Sequence, residues 1–197
     1  MKKVLSEIFD WIKTIVIIFI AVTLIQRYVF TPVRVDGQSM FSTLHDGDSV
    51  ILWELGYQPS PFDVIVFEYS PDIFYVKRLI GFPGQTVRYE NDQLYIDEVA
   101  VMEPYLEKAK TDVAEDSVFF SWDFNTGPFT EDFTSQDVCQ INGFQECDVI
   151  PEGYFLVLGD NRPFSKDSRH IGLISEDQIM GRAAWIQWPL SRFGSIN

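Results

Sequence analysis

The 197-residue sequence predicts a mainly β fold: an antiparallel β-sheet domain, interrupted by an inserted subdomain and carried on one N-terminal transmembrane helix. Three observations predict it. The first is an uncharged apolar run, Thr14–Ile25, close to the N-terminus. The second is a series of short β-like runs after Phe30, set apart by Gly, Pro, Asn and Asp. The third is a break in that series where acid and phenylalanine replace alternation. The expected layout is residues 1–30 for the tail and anchor, 31–108 for the first part of the β domain, 109–149 for the insert, and 150–197 for the second part.

With its flanks, Trp11 to Phe30, the apolar run approaches the ~20 residues that a helix needs to cross a bilayer. Lys13 and Arg27 fall near its two ends, where long cationic side chains can snorkel. Lys2, Lys3 and Lys13 crowd the N-terminal side, which favours a cytoplasmic N-terminus and an external remainder. A cleavable secretion signal is the alternative, since the uninterrupted core is short enough for one. Against it, no small-residue cleavage site follows; Gln26-Arg27-Tyr28-Val29-Phe30 is bulky.

The strands expected after the anchor are Ser49–Trp53, Asp63–Tyr69, Phe74–Ile80, Thr86–Glu90, Gln93–Ile96, Tyr154–Leu158 and Arg182–Trp188. Glu90-Asn91-Asp92-Gln93 reads as a tight hairpin turn, and Pro59-Ser60-Pro61 as an exposed loop. There is no internal repeat. Outside the anchor no segment keeps helical periodicity over four turns, although Ser175–Met180 suits one short turn of helix.

A net charge of −14 excludes nucleic acid as a partner, because phosphates demand the opposite sign. From Thr111 to Asp148 there is no Lys or Arg, while Asp112, Glu115, Asp116, Asp123, Glu131, Asp132, Asp137, Glu146 and Asp148 supply nine of the fourteen excess negative charges. A solvated acidic face is the default meaning, and a partner-binding surface the sharper one. Phe119, Phe120, Phe124, Phe129, Phe133 and Phe144 are dense enough to bury a small core against the main sheet. Cys139 and Cys147, eight positions apart in a domain expected outside the cytoplasm, favour a local disulfide over two free thiols. No histidine–cysteine spacing suggests a metal site.

The chemistry concentrates in three stretches. Ser39 lies in Gly37-Gln38-Ser39-Met40, just past the anchor, and Lys77 in Tyr75-Val76-Lys77-Arg78-Leu79-Ile80-Gly81-Phe82-Pro83-Gly84. The third runs Gly159-Asp160-Asn161-Arg162-Pro163-Phe164-Ser165-Lys166-Asp167-Ser168-Arg169. A serine needs a base to become a nucleophile, and a buried lysine serves if desolvation lowers its pKa from about 10.4 by several units. Alternation along its strand puts Lys77 on one face with Tyr75 and Leu79. A Ser-His-Asp triad is recognised by geometry, and neither His45 nor His170 lies in a motif of any triad family.

Together these stretches resemble the sequence boxes of the type I signal peptidases, membrane-anchored serine proteases that cleave leader peptides from secreted proteins. The resemblance runs from the anchor through about Gly172. It implies an antiparallel β-sheet catalytic domain in which Ser39 is the nucleophile and Lys77 the general base, with no cofactor and no metal. Ser165 then matches a serine that hydrogen-bonds and orients the lysine. Asp167 and Arg169 match an ion pair that holds the site, and Asp160 and Arg162 brace the same loop. Val35, Met40, Leu44, Tyr75 and Val76 would line apolar pockets for small substrate side chains. The insert corresponds to a variable cap. The implied partners are preproteins with small residues before the cleavage site, the lipid bilayer and the secretion machinery. The implied location is the bacterial cell membrane, single-pass, with the catalytic domain periplasmic or extracellular.

Three positions depart from the family pattern. Gly37 stands where some members carry a serine that donates to the oxyanion, Ser42 replaces a proline, and Gln85 replaces an aspartate. None removes a reacting group, and together they fit a specialised enzyme with a narrow substrate set. The rivals are a dedicated pilin or conjugation-protein processing peptidase of the same fold, and a non-enzymatic membrane-anchored β assembly module, which only the acidic, Phe-rich insert favours.

Overall fold

The computed structural model describes residues 2–28, 30–115, 128–145 and 147–196; of the insert, Asp116, Phe119, Phe120, Asp123, Phe124 and Glu146 lie outside them. In chain order the elements are α1 (Lys2–Tyr28), β1 (Phe30–Arg34), β2 (Ser49–Trp53), β3 (Val64–Ser70), β4 (Ile73–Gly81), β5 (Val87–Glu90), β6 (Gln93–Ile96) and β7 (Val99–Val101). Then come α2 (Tyr105–Glu115), β8 (Phe133–Thr134), α3 (Ser135–Ile141), β9 (Tyr154–Leu158), α4 (Ser168–Ile171), β10 (Ile174–Ser175), β11 (Ile179–Trp188) and β12 (Gly194–Ser195).

Helix α1 has 27 residues, and Ile8, Phe9, Trp11, Ile12 and every residue from Ile15 to Ile20 stand exposed on it. Thr14 and Thr23 return their hydroxyls to the carbonyls of Asp10 and Phe19 one turn back, so neither needs water. Among the described residues no helix is long and apolar enough to cross a membrane.

The strands form two antiparallel sheets. The larger is ordered β1-β2-β11-β3-β4-β9-β10, with β12 added to β11; the smaller is ordered β7-β6-β5-β8. Strand β1 pairs with β2 from Phe30↔Trp53 to Arg34↔Ser49. Pro32 is tolerated because β1 is an edge strand, where a missing N–H costs nothing on the outer side. Strand β4 is central, between β3 and β9, and is buried on both faces from Lys77 to Gly81. One face meets the small sheet through Ile80, Val87, Tyr89, Leu94 and Leu156. The other packs Leu79 on Ile65, Phe67, Val157 and Ile174.

The β5–β6 turn is a two-residue hairpin, with Glu90 opposite Gln93 and positive φ at Asn91 (52°) and Asp92 (60°), the geometry that matches strand twist. Asp92 then accepts the backbone N–H groups of Phe129 and Thr130, tying the turn to the far end of the insert.

The small sheet draws on both sides of residue 109. Three of the four strands of the small sheet precede residue 109, and the 109–149 segment adds only β8 to its edge. Helices α2 and α3 also form without a periodic signal. Helix α3 is only seven residues long and is started by a capping box between Thr134 and Asp137. Ser175–Met180 does begin with one helical turn, of the tighter 3-10 kind, at Glu176–Gln178.

Cys139 and Cys147 are joined, with Cα atoms 6.2 Å apart, and both lie in the core between the small sheet and β9. Reduction should lower the stability by about 2–3 kcal/mol, as expected for so short a loop. Denaturant unfolding of oxidised and reduced protein checks this, and coincident midpoints would remove the crosslink's role.

Candidate active site

Ser39 opens a compact turn between β1 and β2. Gly37 enters it at φ +94°, its N–H held by Asp46 Oδ1 at 2.7 Å. The Met40 carbonyl accepts the N–H groups of Thr43 and Leu44, closing the turn. Ser42 sits at φ +70°, which proline, locked near −65°, cannot adopt. The missing proline therefore permits a different turn geometry. Met40 and Leu44 plug the turn into a core of Val35, Val50, Val64, Ala183 and Ile186.

Strand β4 brings Lys77 beneath that turn. Its Nζ lies 2.7 Å from Ser39 Oγ and donates to the Val76 carbonyl at 2.9 Å. The side chain is 3% exposed, and burial pulls its pKa down to about 8 against the opposing pull of the Asp167 and Asp160 carboxylates. At that value a useful fraction is neutral near physiological pH, and a neutral amine at this distance can take the serine proton.

The loop after β9 closes the site from the third side. Asn161 donates its backbone N–H to the Ser39 carbonyl at 3.1 Å and its side-chain amide to the Gln38 carbonyl at 2.9 Å. Asp160 accepts two bonds from Arg78, at 2.9 and 2.7 Å, and one from Thr43 Oγ1 at 2.5 Å. Asp167 accepts from the Gly159 N–H and twice from the Arg169 guanidinium. Burial alone would raise the Asp167 pKa; the Arg169 hydrogen bonds and charge reverse this and hold it low. Gly159 has no room for a side chain, because a Cβ there would meet Ser165 Oγ and the Ser39 carbonyl oxygen.

The expectation that Ser165 hydrogen-bonds the lysine does not hold in this geometry. Ser165 is 5% exposed, and its hydroxyl turns to the Asp167 carboxylate, whose pKa it helps hold low, and not to the Lys77 amine. The Lys77 amine is already directed to Ser39 and to its own strand's carbonyl, which leaves Ser165 to the polar surroundings of Asp167. Asp160 and Arg162 brace the loop, chiefly through charged partners outside it. Asp160 uses Arg78, while Arg162 bonds Glu103 at 2.5 Å and the Gly159 carbonyl at 3.0 Å.

A cleft of about 490 Å³ opens over Ser39 and Lys77, walled by Val35 and Met40 on one side and by Tyr75 and Val76 on the other. Leu44, also expected in this wall, is wholly buried in the core below the turn and does not reach the cleft. Phe164 and Lys166 border it instead. His45 accepts from Arg192 and stacks on Phe41, and His170 is exposed. Among the described residues no group of His, Cys, Asp or Glu is arranged to hold a metal ion.

The model of the family described as signal peptidase, peptidase S26, matches residues 8–188. Signal peptidase IB of Staphylococcus aureus (strain COL) is 38% identical over 197 residues, covering 98% of this chain and 94% of its own. Signal peptidase I T of Bacillus subtilis (strain 168) is 36% identical over 195 residues, covering 96% and 90%. A crystal structure of a signal peptidase I from Enterococcus faecalis superposes with a TM-score of 0.50 at 38% identity, over 64% of this chain and 96% of its own. The matched span includes the Ser39 turn, the Lys77 strand and the Gly159–Arg169 loop, so the chain belongs to the signal peptidase family, peptidase S26.

Proposed function

We propose that Ser39 and Lys77 form the catalytic dyad of this signal peptidase I, a serine endopeptidase that removes N-terminal signal peptides from secreted preproteins. The observation that carries the reading is a buried amine 2.7 Å from the serine hydroxyl, with a pKa lowered to about 8. Neutral Lys77 takes the Ser39 proton as the oxygen attacks the scissile carbonyl. The ammonium then gives that proton to the leaving amine, and the free amine activates water to hydrolyse the acyl-enzyme. The Ser39 backbone N–H is the oxyanion donor, and Gly37 leaves no side-chain donor beside it. Asp167 and Arg169 fix the third loop internally, through the Gly159 N–H and the Arg162 carbonyl, so that Asn161 and Asp160 can hold it against the turn, and Val35, Met40, Tyr75 and Val76 form a shallow apolar wall suited to small residues before the cleavage site.

Helix α1 is the membrane anchor in this reading, with its N-terminus cytoplasmic and the sheets outside, at the bacterial cell membrane. Its exposed apolar side chains from Ile8 to Ile20 support that role, as do Lys2, Lys3 and Lys13 at its start. Protease added to intact spheroplasts should digest the β domain; full protection would invert the topology. The insert, with the small sheet it completes, acts as the cap.

Cleavage of a purified preprotein with a small residue before its processing site tests the dyad. Wild-type enzyme should release the mature chain, and Ser39→Ala should release none. Equal rates would end the reading. The base must be neutral to act, so kcat/KM should rise with pH up to about 8 and then level on that limb.

A further inference from the structure

Glu103, between β7 and α2, has no part in the chemistry above and is 6% exposed on its side chain. Three elements converge on it. Tyr89 of β5 donates to Oε2 at 2.9 Å, while Tyr105, the first residue of α2, and Arg162 of the third loop each donate to Oε1 at 2.5 Å. Arg162 is wholly buried and also grips the Gly159 carbonyl, two residues before the Asn161 N–H that holds Ser39. The Tyr105 ring lies 3.9 Å from the Arg78 guanidinium that clamps Asp160. Phe41 of the Ser39 turn and Phe164 of the cleft pack on the same cluster, Leu106, Ala109 and Phe129.

We infer that Glu103 is a positioning residue, through which the small sheet and α2 hold the Gly159–Asn161 backbone, and with it Ser39, in register with Lys77. The inference rests on the dyad reading. Charge balance explains why a carboxylate is needed. Arg78, Arg162 and Arg169 face Asp160, Glu103 and Asp167 in turn. Without Glu103 the Arg162 cation is left in a dry site with only neutral acceptors, and the loop must shift to hydrate it. Any shift carries Asp160 and Asp167 with it. Those two carboxylates are the charges that raise the affinity of Lys77 for a proton.

The test is Glu103→Gln, which keeps the volume and removes the charge. Its kcat should fall on the order of 10–100-fold, as misplacement by about an ångström does, while KM moves less than about threefold because Glu103 is off the cleft. The acid limb of kcat/KM should move to lower pH, since Lys77 loses its carboxylate neighbours; a merely structural role would leave that limb in place. Glu103→Asp, which restores the charge, should recover part of the rate. Wild-type kcat and an unmoved acid limb in a folded Glu103→Gln would overturn the inference. Should Glu103→Gln fail to fold, Tyr105→Phe decides. It removes one bond to Glu103 and should give the same changes at several-fold amplitude, and no change in rate or limb would overturn the inference as well. A failure of the dyad reading looks different, because Ser39→Ala would then still cleave.

Discussion

Lys77→Met should lose cleavage by at least roughly 10⁴-fold while gaining stability at neutral pH. Met has nearly the same length and no charge, so the strand and the Ser39 turn can keep their packing. The stability gain follows from the sign of the pKa displacement. Lys77 titrates at about 8 when folded against an ordinary value of 10.5. Between those values the unfolded chain binds more protons, so the wild-type fold gains stability as pH rises through that window. Below pH 8 it carries the whole penalty, about 3 kcal/mol in order of magnitude. Thermal melts of wild type and Lys77→Met at pH 7 and pH 10 check it. The mutant should melt higher at pH 7, with the gap closing by pH 10. A mutant that still cleaves, or that melts lower at pH 7, would show that Lys77 is a structural cation and not a desolvated base.

Asp160→Asn should be the most damaging single change outside the reacting pair. Arg78 and Asp160 are 1% and 0% exposed on their side chains and share two hydrogen bonds. Removing one member of a buried pair takes the main counter-charge from the other and costs about 3–5 kcal/mol. For a chain of this size that lowers Tm by roughly 10 °C or more. The activity of the remaining folded protein should fall too, because Asp160 also accepts from Thr43 in the Ser39 turn. Replacing both partners with apolar residues of similar volume, Arg78→Met with Asp160→Leu, should recover much of the lost stability. If Asp160→Asn melts like wild type, the pair is hydrated and the site is softer than its geometry indicates.

Much of this architecture was legible from local pattern. Strands β2 and β6 run from Ser49 to Trp53 and from Gln93 to Ile96, as alternation and flanking turn residues predict. Strand β1 escaped because Pro32 argues against a strand until the edge position is known. Helix α2 escaped because, among its described side chains, burial falls on Tyr105, Leu106 and the small Ala109, a short and weak periodic signal. At the site, Ser39, Lys77 and Asp167–Arg169 were readable because their partners lie in three compact stretches. Arg78 is different. Alternation would send it to the face opposite Lys77 and into solvent, yet Tyr105 of α2, Asp160 and the Phe62 carbonyl enclose it there as a buried cation. Glu103 had no signal at all, since its meaning depends on Arg162, 59 positions later. Leu44 and Ser165 have the residue types expected of the site, but local pattern does not show which way a side chain turns: Leu44 packs into the core and the Ser165 hydroxyl lies beside Asp167.

Gly159 has a consequence for anyone who would transplant this site. Its bare Cα lets the Ser39 carbonyl and the Ser165 side chain approach from two sides at once. The first and third stretches therefore meet across a seam with no filler that could be trimmed or enlarged. A graft carrying the Ser39 turn alone into another scaffold would arrive without the backbone surface that shapes it, and a donor loop with any larger residue at that point would collide with it. Gly194 is the useful contrast, with open space around its Cα and an ordinary φ, so it is a natural joint for splicing. The two stretches, 120 positions apart in the chain by their numbers Ser39 and Gly159, can be exchanged between scaffolds only as one cassette.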